Sequence, residues 1–214
     1  MSFKIDLYSE ISCPWCFVGH HRLDKVLGER FPGVNAEVIH HPVLLFPDAP
    51  REGIYIPEML RQRYGITEPK QAFARPESEA HASGFPLDLS RQCYAYPTQS
   101  AHAILLDARE KGTQHQLAVA ITDAYFLEAK DIGDVEVLAD IASNYGFSHD
   151  EAIAIALSPA WRKRVDEAAA KSAAAGVSSV PYFVFAGSVA IGGGCSEDKL
   201  ELAMNEALKA IEIQ

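Results

Sequence analysis

Two cysteine thiols lie three residues apart in Cys13-Pro14-Trp15-Cys16, directly after a strand-like segment and where a helix is expected to begin. At the first turn of a helix, unpaired backbone N–H groups and the positive end of the helix dipole stabilise a thiolate. Pro14 suits this position because its missing N–H leaves no helical hydrogen bond unmade. The motif therefore predicts thiol–disulfide exchange, with Cys13 as the nucleophile and Cys16, one turn further on, as the resolving thiol.

Two other interpretations of this motif compete with the redox interpretation. A CxxC pair can supply half of a zinc site, but tetrahedral coordination usually requires a second pair of Cys or His ligands. The remaining cysteines, Cys93 and Cys195, are isolated in the sequence. His20 and His21 follow the motif, but we expect a histidine on the exposed side of a helix to be solvated. We therefore predict no metal site, and inert structural cysteines are the remaining alternative.

Composition and charge exclude several classes of partner. The 214 residues are 48% hydrophobic and 22% charged, with a formal net charge of −10. No apolar run approaches the roughly 20 residues of a membrane helix, so we expect no membrane partner. Nucleic-acid surfaces need clustered Lys and Arg, which this acidic chain does not suggest. The N-terminus lacks a secretory signal pattern and the cysteines form no disulfide framework, which together predict a reducing, cytoplasmic location.

Hydrophobic periodicity predicts an α/β protein. Residues 3–8 and 36–41 alternate as strands do, and the helix that carries the cysteines lies between them, which is the pattern of a parallel βαβ unit. Strand patterns return at 182–185 and 189–191 around a turn and predict a hairpin. Gly192-Gly193-Gly194 is expected to be a turn, followed by a final helix over 197–211. This βαβ and ββα order is the arrangement of a thioredoxin fold.

The middle of the chain is predicted to be helical. Prolines and glycines interrupt the chain after Pro42, and strand patterns disappear. Helices are expected over 57–64, 73–84, 98–111, 114–129, 134–145, 148–157 and 158–175, and the side chains of Asp134, Ser148 and Ser158 are expected to cap the last three. We expect a bundle of about five helices. The predicted fold is therefore a thioredoxin-type domain made of residues 1–45 and 176–214, with an all-helical domain over 46–175 inserted into it.

Three segments of the chain carry a family resemblance. Residues 12–19 (SCPWCFVG), 129–134 (AKDIGD) and 176–184 (GVSSVPYFV) resemble, in this order, signature segments of the FrnE-like branch of the DsbA superfamily of thioredoxin-fold oxidoreductases. The resemblance covers nearly the whole chain. It implies a protein disulfide oxidoreductase or isomerase that acts on protein or small-molecule thiols and disulfides. No tightly bound cofactor is implied, and glutathione is allowed as a co-substrate.

The resemblance also implies a substrate-binding surface around the dithiol. Pro181 is expected to follow a cis peptide bond and to face the CPWC pair, since cis bonds are much less costly before proline than before other residues. The backbone N–H and C=O of Val180 would then be free to pair with an extended substrate, beside Pro14 and Trp15. The alternative is that Pro181 is an ordinary proline at the start of a strand.

The chain departs from the family pattern at two positions. Family members often carry Gln where this chain has Cys195, and Asn where it has Pro97, ahead of His102. Cys195 is therefore an accessory candidate with three interpretations: a small buried apolar residue, a third redox thiol or a metal ligand. His102 is the second accessory candidate, either at the cleft or simply packed in the core.

The same fold with the same insertion also occurs in 2-hydroxychromene-2-carboxylate isomerases and kappa-class glutathione transferases. Those enzymes typically have serine at the first motif position, whereas this chain has cysteine at both positions. The sequence thus favours redox chemistry and leaves a glutathione-dependent isomerase or transferase, or a non-catalytic binding protein, as alternatives. Phe46, Tyr55 and Tyr96 are candidates for an apolar cleft wall. Both a monomer and a homodimer remain open.

Overall fold

The sheet is small and mixed. In a computed structural model that describes residues 2–212, four strands follow the order β2-β1-β5-β6. β1 pairs in parallel with β2 and antiparallel with β5, which in turn pairs antiparallel with β6, so the predicted βαβ unit and hairpin are confirmed. A second sheet consists of β3 and β4 alone. The strands are β1 (Phe3–Ser9), β2 (Ala36–Pro42), β3 (Ile54–Tyr55), β4 (Tyr94–Ala95), β5 (Tyr182–Phe185) and β6 (Val189–Gly192).

Helices account for most of the chain between β2 and β5. Each of the seven segments expected to be helical corresponds to one of the α-helices α2 to α8 in the described insertion, which is more than the bundle of about five that we expected. Three starts follow the predicted side-chain caps: Asp134 accepts from Glu136 N–H, Ser148 forms a capping box with Glu151, and Ser158 accepts from the N–H of Trp161. The helices are α1 (Pro14–Arg30), α2 (Ile56–Tyr64), α3 (Pro69–Ala82), α4 (Gln99–Ala108), α5 (Gln114–Phe126), α6 (Val135–Ala142), α7 (His149–Ala156), α8 (Pro159–Ala174) and α9 (Glu197–Glu212).

Two clusters of buried apolar residues form the core. One packs β1 and β5 against α1 and α9, with Leu7, Phe183 and Met204 fully buried in it. The other fills the helical insertion around residues such as Ile104 and Ile121. No helix within residues 2–212 is long and apolar enough to cross a membrane.

Helix α1, which carries the cysteines, lies between the two clusters. Phe17 and Val18 face the helical cluster, whereas Leu23 and Val26 face the sheet cluster. The buried Arg22 adds polar contacts from α1 to α3 and to the segment before α9, since its guanidinium donates to Ser83 Oγ (2.7 Å), Glu79 Oε2 (2.7 Å) and Cys195 O (3.0 Å). Both halves of the molecule therefore fix the position of the dithiol.

Candidate active site

Cys13 and Cys16 lie at the start of α1, as the sequence predicted. Cys13 is the N-cap residue, with extended backbone (φ −92°, ψ 119°), and Pro14 is the first helical residue. The Cys13 carbonyl accepts hydrogen bonds from the N–H groups of Cys16 (2.9 Å) and Phe17 (3.2 Å). Both cysteines are free thiols; Cys13 is 6% exposed and Cys16 is completely buried. Of the two thiols, only Cys13 can meet a substrate without movement of the protein.

The environment of each thiol shifts its pKa in a different direction. A hydrogen bond from the Cys16 thiol lowers the pKa of Cys13, and backbone N–H groups at the start of α1 act in the same direction against the effect of burial. Burial raises the pKa of Cys16 well above its ordinary value, and the neighbouring Cys13 raises it further. Cys13 is thus the better nucleophile, and Cys16 stays protonated until it is needed.

Glu10 lies directly behind the dithiol, and the sequence interpretation did not identify it. Its backbone N–H contacts Cys16 Sγ (3.4 Å), and its carbonyl accepts from the Cys13 N–H (3.2 Å). The carboxylate is 1% exposed and accepts from the N–H groups of Ser12 (3.3 Å) and Leu45 (3.0 Å). An acidic residue at the end of a buried strand, three residues before a CxxC motif, is the signal that could have identified it.

His102 is buried beside this carboxylate. The residue is 3% exposed on α4, and its Nε2 lies 3.6 Å from Glu10 Oε1 without a hydrogen-bond partner within residues 2–212. Cys195 lies elsewhere, in the sheet cluster, 5% exposed and with its Sγ 3.4 Å from Gly192 O. Burial raises the pKa of Cys195, which favours its interpretation as a small buried residue over that of a third redox thiol. Cys93 is exposed.

Pro181 packs against α1 just beyond the dithiol, and the Val180–Pro181 peptide bond is cis. A Cβ atom placed on Gly19 would lie 2.7 Å from Pro181 Cγ, so glycine at this position permits the close approach. The Pro181 carbonyl accepts from the Gly193 N–H (2.8 Å). Within the described chain, the Val180 N–H and C=O form no hydrogen bond.

Trp15 is held between two other segments. Its ring packs so closely on Gly194 that a Cβ atom there would overlap it, and the guanidinium of Arg75 on α3 stacks 5.2 Å from the ring centre. The Gly192-Gly193-Gly194 segment was predicted to be only a turn. The turn is present, with Gly193 at φ +80°, and it also provides the surface on which Trp15 lies.

One expectation about the histidines is wrong. His20 was expected to be solvated, but its side chain is fully buried because α1 is covered on both faces. Its ring lies 5.1 Å from that of His40 and 6.3 Å from that of His115, measured between centroids. No group of three or more His, Cys, Asp or Glu side chains among residues 2–212 has the geometry of a metal site.

An apolar cavity of about 170 Å³ opens beside Cys13. Of the three aromatic residues predicted to form a cleft wall, Phe46 lines this cavity, whereas Tyr55 and Tyr96 do not. Tyr55 is 51% exposed and lines a separate surface pocket. The other walls come from residues of α2, α3 and α5. No hydrophobic pattern in the sequence indicated this convergence of separate helices.

Comparison with known proteins agrees with this architecture. Residues 4–205 match the DSBA-like thioredoxin domain. The chain belongs to this family. Among solved structures, the DsbA-like fold of this chain is similar to that of a probable DsbA oxidoreductase, SCO1869, from Streptomyces coelicolor, with a TM-score of 0.84 and 26% identity over 97% of this chain and 90% of the other.

Two further structures share the fold at lower sequence identity. The cytosolic disulfide reductase DsbM from Pseudomonas aeruginosa, determined with GSH, has a TM-score of 0.67 and 14% identity over 96% of this chain and 99% of its own. A 2-hydroxychromene-2-carboxylate isomerase has a TM-score of 0.70 and 14% identity over 99% of both chains. The DsbA-like fold therefore accommodates both redox enzymes and an isomerase.

Proposed function

We propose that this DsbA-family protein is a thiol–disulfide oxidoreductase whose redox pair is Cys13 and Cys16. The observation that carries the proposal is the asymmetry of the pair: a slightly exposed thiol of lowered pKa caps α1, and a fully buried thiol of raised pKa lies one turn inside. These properties suit Cys13 as the nucleophile and Cys16 as the resolving thiol.

The reaction proceeds in two exchange steps when the protein is the reductant. The Cys13 thiolate attacks one sulfur of a substrate disulfide, so that a mixed disulfide forms and the other substrate sulfur leaves as a thiolate. Cys16 then loses its proton and attacks Cys13 Sγ, which releases the second substrate thiolate and leaves a Cys13–Cys16 disulfide. In the opposite direction, a substrate thiolate attacks the protein disulfide and is itself oxidised.

Removal of the proton from Cys16 requires a nearby base, and Glu10 is the candidate. Its charge acts on both thiols, and its backbone N–H contacts Cys16 Sγ. His102 lies beside the Glu10 carboxylate and is a candidate positioning residue for it. Cys195 has no part in this scheme.

Substrate binding is proposed to use the surface formed by Val180, Pro181, Pro14 and Trp15. An extended segment next to the reacting sulfur would pair with the Val180 N–H and C=O, both of which lack partners within the described chain. The substrate class is protein or small-molecule thiols and disulfides. We propose a cytoplasmic setting with glutathione as a recycling co-substrate, supported by the reducing environment that four free thiols suit.

A glutathione-dependent isomerase is the second candidate, because a 2-hydroxychromene-2-carboxylate isomerase shares the fold over its full length. In such an enzyme the Cys13 side chain would only position the glutathione thiol. A Cys13→Ser variant would then retain activity towards an isomerase substrate. A redox enzyme loses its activity with either cysteine replaced.

The deciding experiment equilibrates the protein in graded glutathione buffers and traps its thiols for mass spectrometry. We expect a reversible Cys13–Cys16 disulfide, its loss in Cys13→Ser, and an accumulated mixed disulfide on Cys13 in Cys16→Ser. Cys93→Ser is the matched control, because Cys93 is exposed and lies outside the site. Failure of the wild type to form the disulfide, or its formation by another pair, would contradict the proposal.

A further inference from the structure

The cavity beside Cys13 has no role in the redox cycle described so far. Its volume is about 170 Å³, and its wall includes Ser12, Cys13 and Pro14 from the dithiol segment. Most of the remaining wall belongs to the helical insertion, for example Phe46, Met59 and Phe73. Because Cys13 is part of the wall, any occupant of the cavity lies next to the reacting sulfur.

The wall of the cavity is almost entirely apolar. Apart from the Cys13 thiolate, none of the described residues that line it carries a charge. Two of its polar side chains are already engaged, since the Gln92 amide donates to the carbonyls of Tyr125 and Phe126, and the Tyr125 hydroxyl donates to Tyr94 O (2.9 Å). The Ser12 hydroxyl differs from them, because its Oγ is buried and has no partner among residues 2–212.

Size and polarity together define the occupant. An apolar cavity of roughly 150 Å³ in another protein holds benzene, so a phenyl ring or a branched aliphatic group fits here. Glutathione carries two carboxylates and an ammonium group, and the wall offers no opposite charge to any of them. Burying those charges unpaired is strongly unfavourable. Glutathione therefore does not match this cavity.

We propose that the cavity is a specificity site that holds a compact apolar group, aromatic or branched aliphatic, carried by the substrate sulfur that bonds to Cys13. The inference rests on the proposed exchange function. Two sources offer this chemistry: a small apolar thiol or disulfide, and an apolar side chain adjacent to a cysteine in a peptide.

The step that uses the cavity is a balanced exchange. The Cys13 thiolate attacks the sulfur that carries the apolar group R in R–S–S–R′, the S–S bond breaks, and R′–S⁻ leaves and takes a proton from water. Cys16 then gives up its proton, attacks Cys13 Sγ and releases R–S⁻, which is protonated in turn. The protein dithiol supplies both electrons, so one reduced protein consumes one substrate disulfide without another reductant.

The test measures single turnovers of the reduced protein with matched disulfides, by thiol trapping and mass spectrometry. In the first arm, benzyl 2-hydroxyethyl disulfide is compared with bis(2-hydroxyethyl) disulfide. In the second, a capped Phe-Cys peptide is compared with a capped Ser-Cys peptide, each joined to 2-mercaptoethanol. Burial of an aromatic ring predicts a preference of about tenfold for the apolar member. A faster rate for the benzyl disulfide identifies a small apolar thiol or disulfide as the source, and a faster rate for the Phe-Cys peptide identifies an apolar side chain of a peptide. Equal rates in both arms overturn the inference.

Two substitutions on one helix make the test specific to the cavity. Ala72, on α3, is partly buried in the cavity wall, whereas Ala74 on the same helix is exposed and does not line it. Ala72→Phe is expected to bring the ratio of the apolar to the polar rate to about one, while Ala74→Phe keeps the wild-type ratio. A ratio unchanged by Ala72→Phe contradicts the proposal. Met59→Ala is the second variant, and we expect its enlarged cavity to accept a naphthylmethyl group that the wild type disfavours.

The outcomes separate this inference from the function on which it rests. If the reduced wild type exchanges with none of the disulfides in a Cys13-dependent way, the proposed oxidoreductase function fails. If it exchanges with all of them at equal rates, the function stands and the specificity site does not.

Discussion

Two buried histidines, His20 on α1 and His40 on β2, predict that the protein loses stability in mild acid. His20 is completely buried, and neither ring nitrogen has a hydrogen-bond partner within the described chain. His40 is 5% exposed, with its Nδ1 3.3 Å from Ser9 Oγ and its Nε2 2.7 Å from His115 Nδ1. Burial lowers the pKa of His20 and of His40 well below the ordinary value, and the neighbouring His115 lowers both further. Both side chains are therefore neutral in the folded protein.

The size of the effect follows from proton linkage. In the unfolded chain a histidine protonates near pH 6.5, about its ordinary pKa, whereas these two remain neutral in the folded state well below that pH. The unfolded state thus binds more protons in mild acid, and the free energy of unfolding falls as the pH drops below about 6.5. Between pH 7 and pH 5.5 the loss is on the order of 1 kcal/mol for each histidine that stays neutral in the folded state, and roughly twice that for the pair.

The assay is urea unfolding followed by circular dichroism at pH 7.0 and 5.5, at constant ionic strength. His20→Leu removes one of the two buried titrations, so the loss of unfolding free energy between the two pH values should shrink by about half, on the order of 1 kcal/mol. Leu23→Ala is the control, because Leu23 is a fully buried residue of the same helix that does not titrate, so its replacement should lower the free energy of unfolding equally at both pH values. A His20→Leu variant that loses as much stability in acid as the wild type would refute the reasoning.

Three further outcomes follow from the site. Gly194→Ala should displace Trp15 and slow the exchange reaction, with the indole fluorescence reporting the displacement at unchanged helicity. Arg22→Met leaves several buried acceptors unpaired and should lower the free energy of unfolding by about 2 kcal/mol in urea titrations. Raising the pH should increase the alkylation rate of Cys13 in Cys16→Ala with a midpoint above that of the wild type, because alanine cannot donate the hydrogen bond by which Cys16 lowers the Cys13 pKa.

The sequence predicted the elements whose signals are local. The CPWC motif at the end of an alternating strand located the start of α1, and Asp134 and Ser148 located two helix starts through their side-chain caps. β3 and β4 were missed because two residues are too short for an alternating pattern. α3 begins at Pro69 rather than near residue 73, since proline is well placed in a first helical turn.

The site was only partly predictable, because much of it depends on packing between distant segments. Cys13 and Cys16 could be identified from their spacing, but the burial of Glu10 follows from contacts with residues more than thirty positions away, such as Leu45 (3.0 Å). The burial of His20 likewise requires that α5 and β2 both cover α1, which no pattern within α1 reveals. Long-range contacts of this kind leave no periodic signal in a single sequence.

The arrangement explains what the helical insertion contributes to a thioredoxin-type dithiol. We propose that the thioredoxin part contributes the Val180 N–H and C=O, which lack hydrogen-bond partners within the described chain and would bind an extended chain regardless of its side chains. The insertion lines an apolar cavity beside Cys13 with residues such as Met59 and Phe73, and in our proposal this cavity discriminates by shape and polarity. Because α1 is packed into both cores, the dithiol at its start is held in a fixed position between the two parts of the molecule. Changes in the insertion can therefore alter the preferred substrate while the dithiol and its pKa asymmetry remain in place.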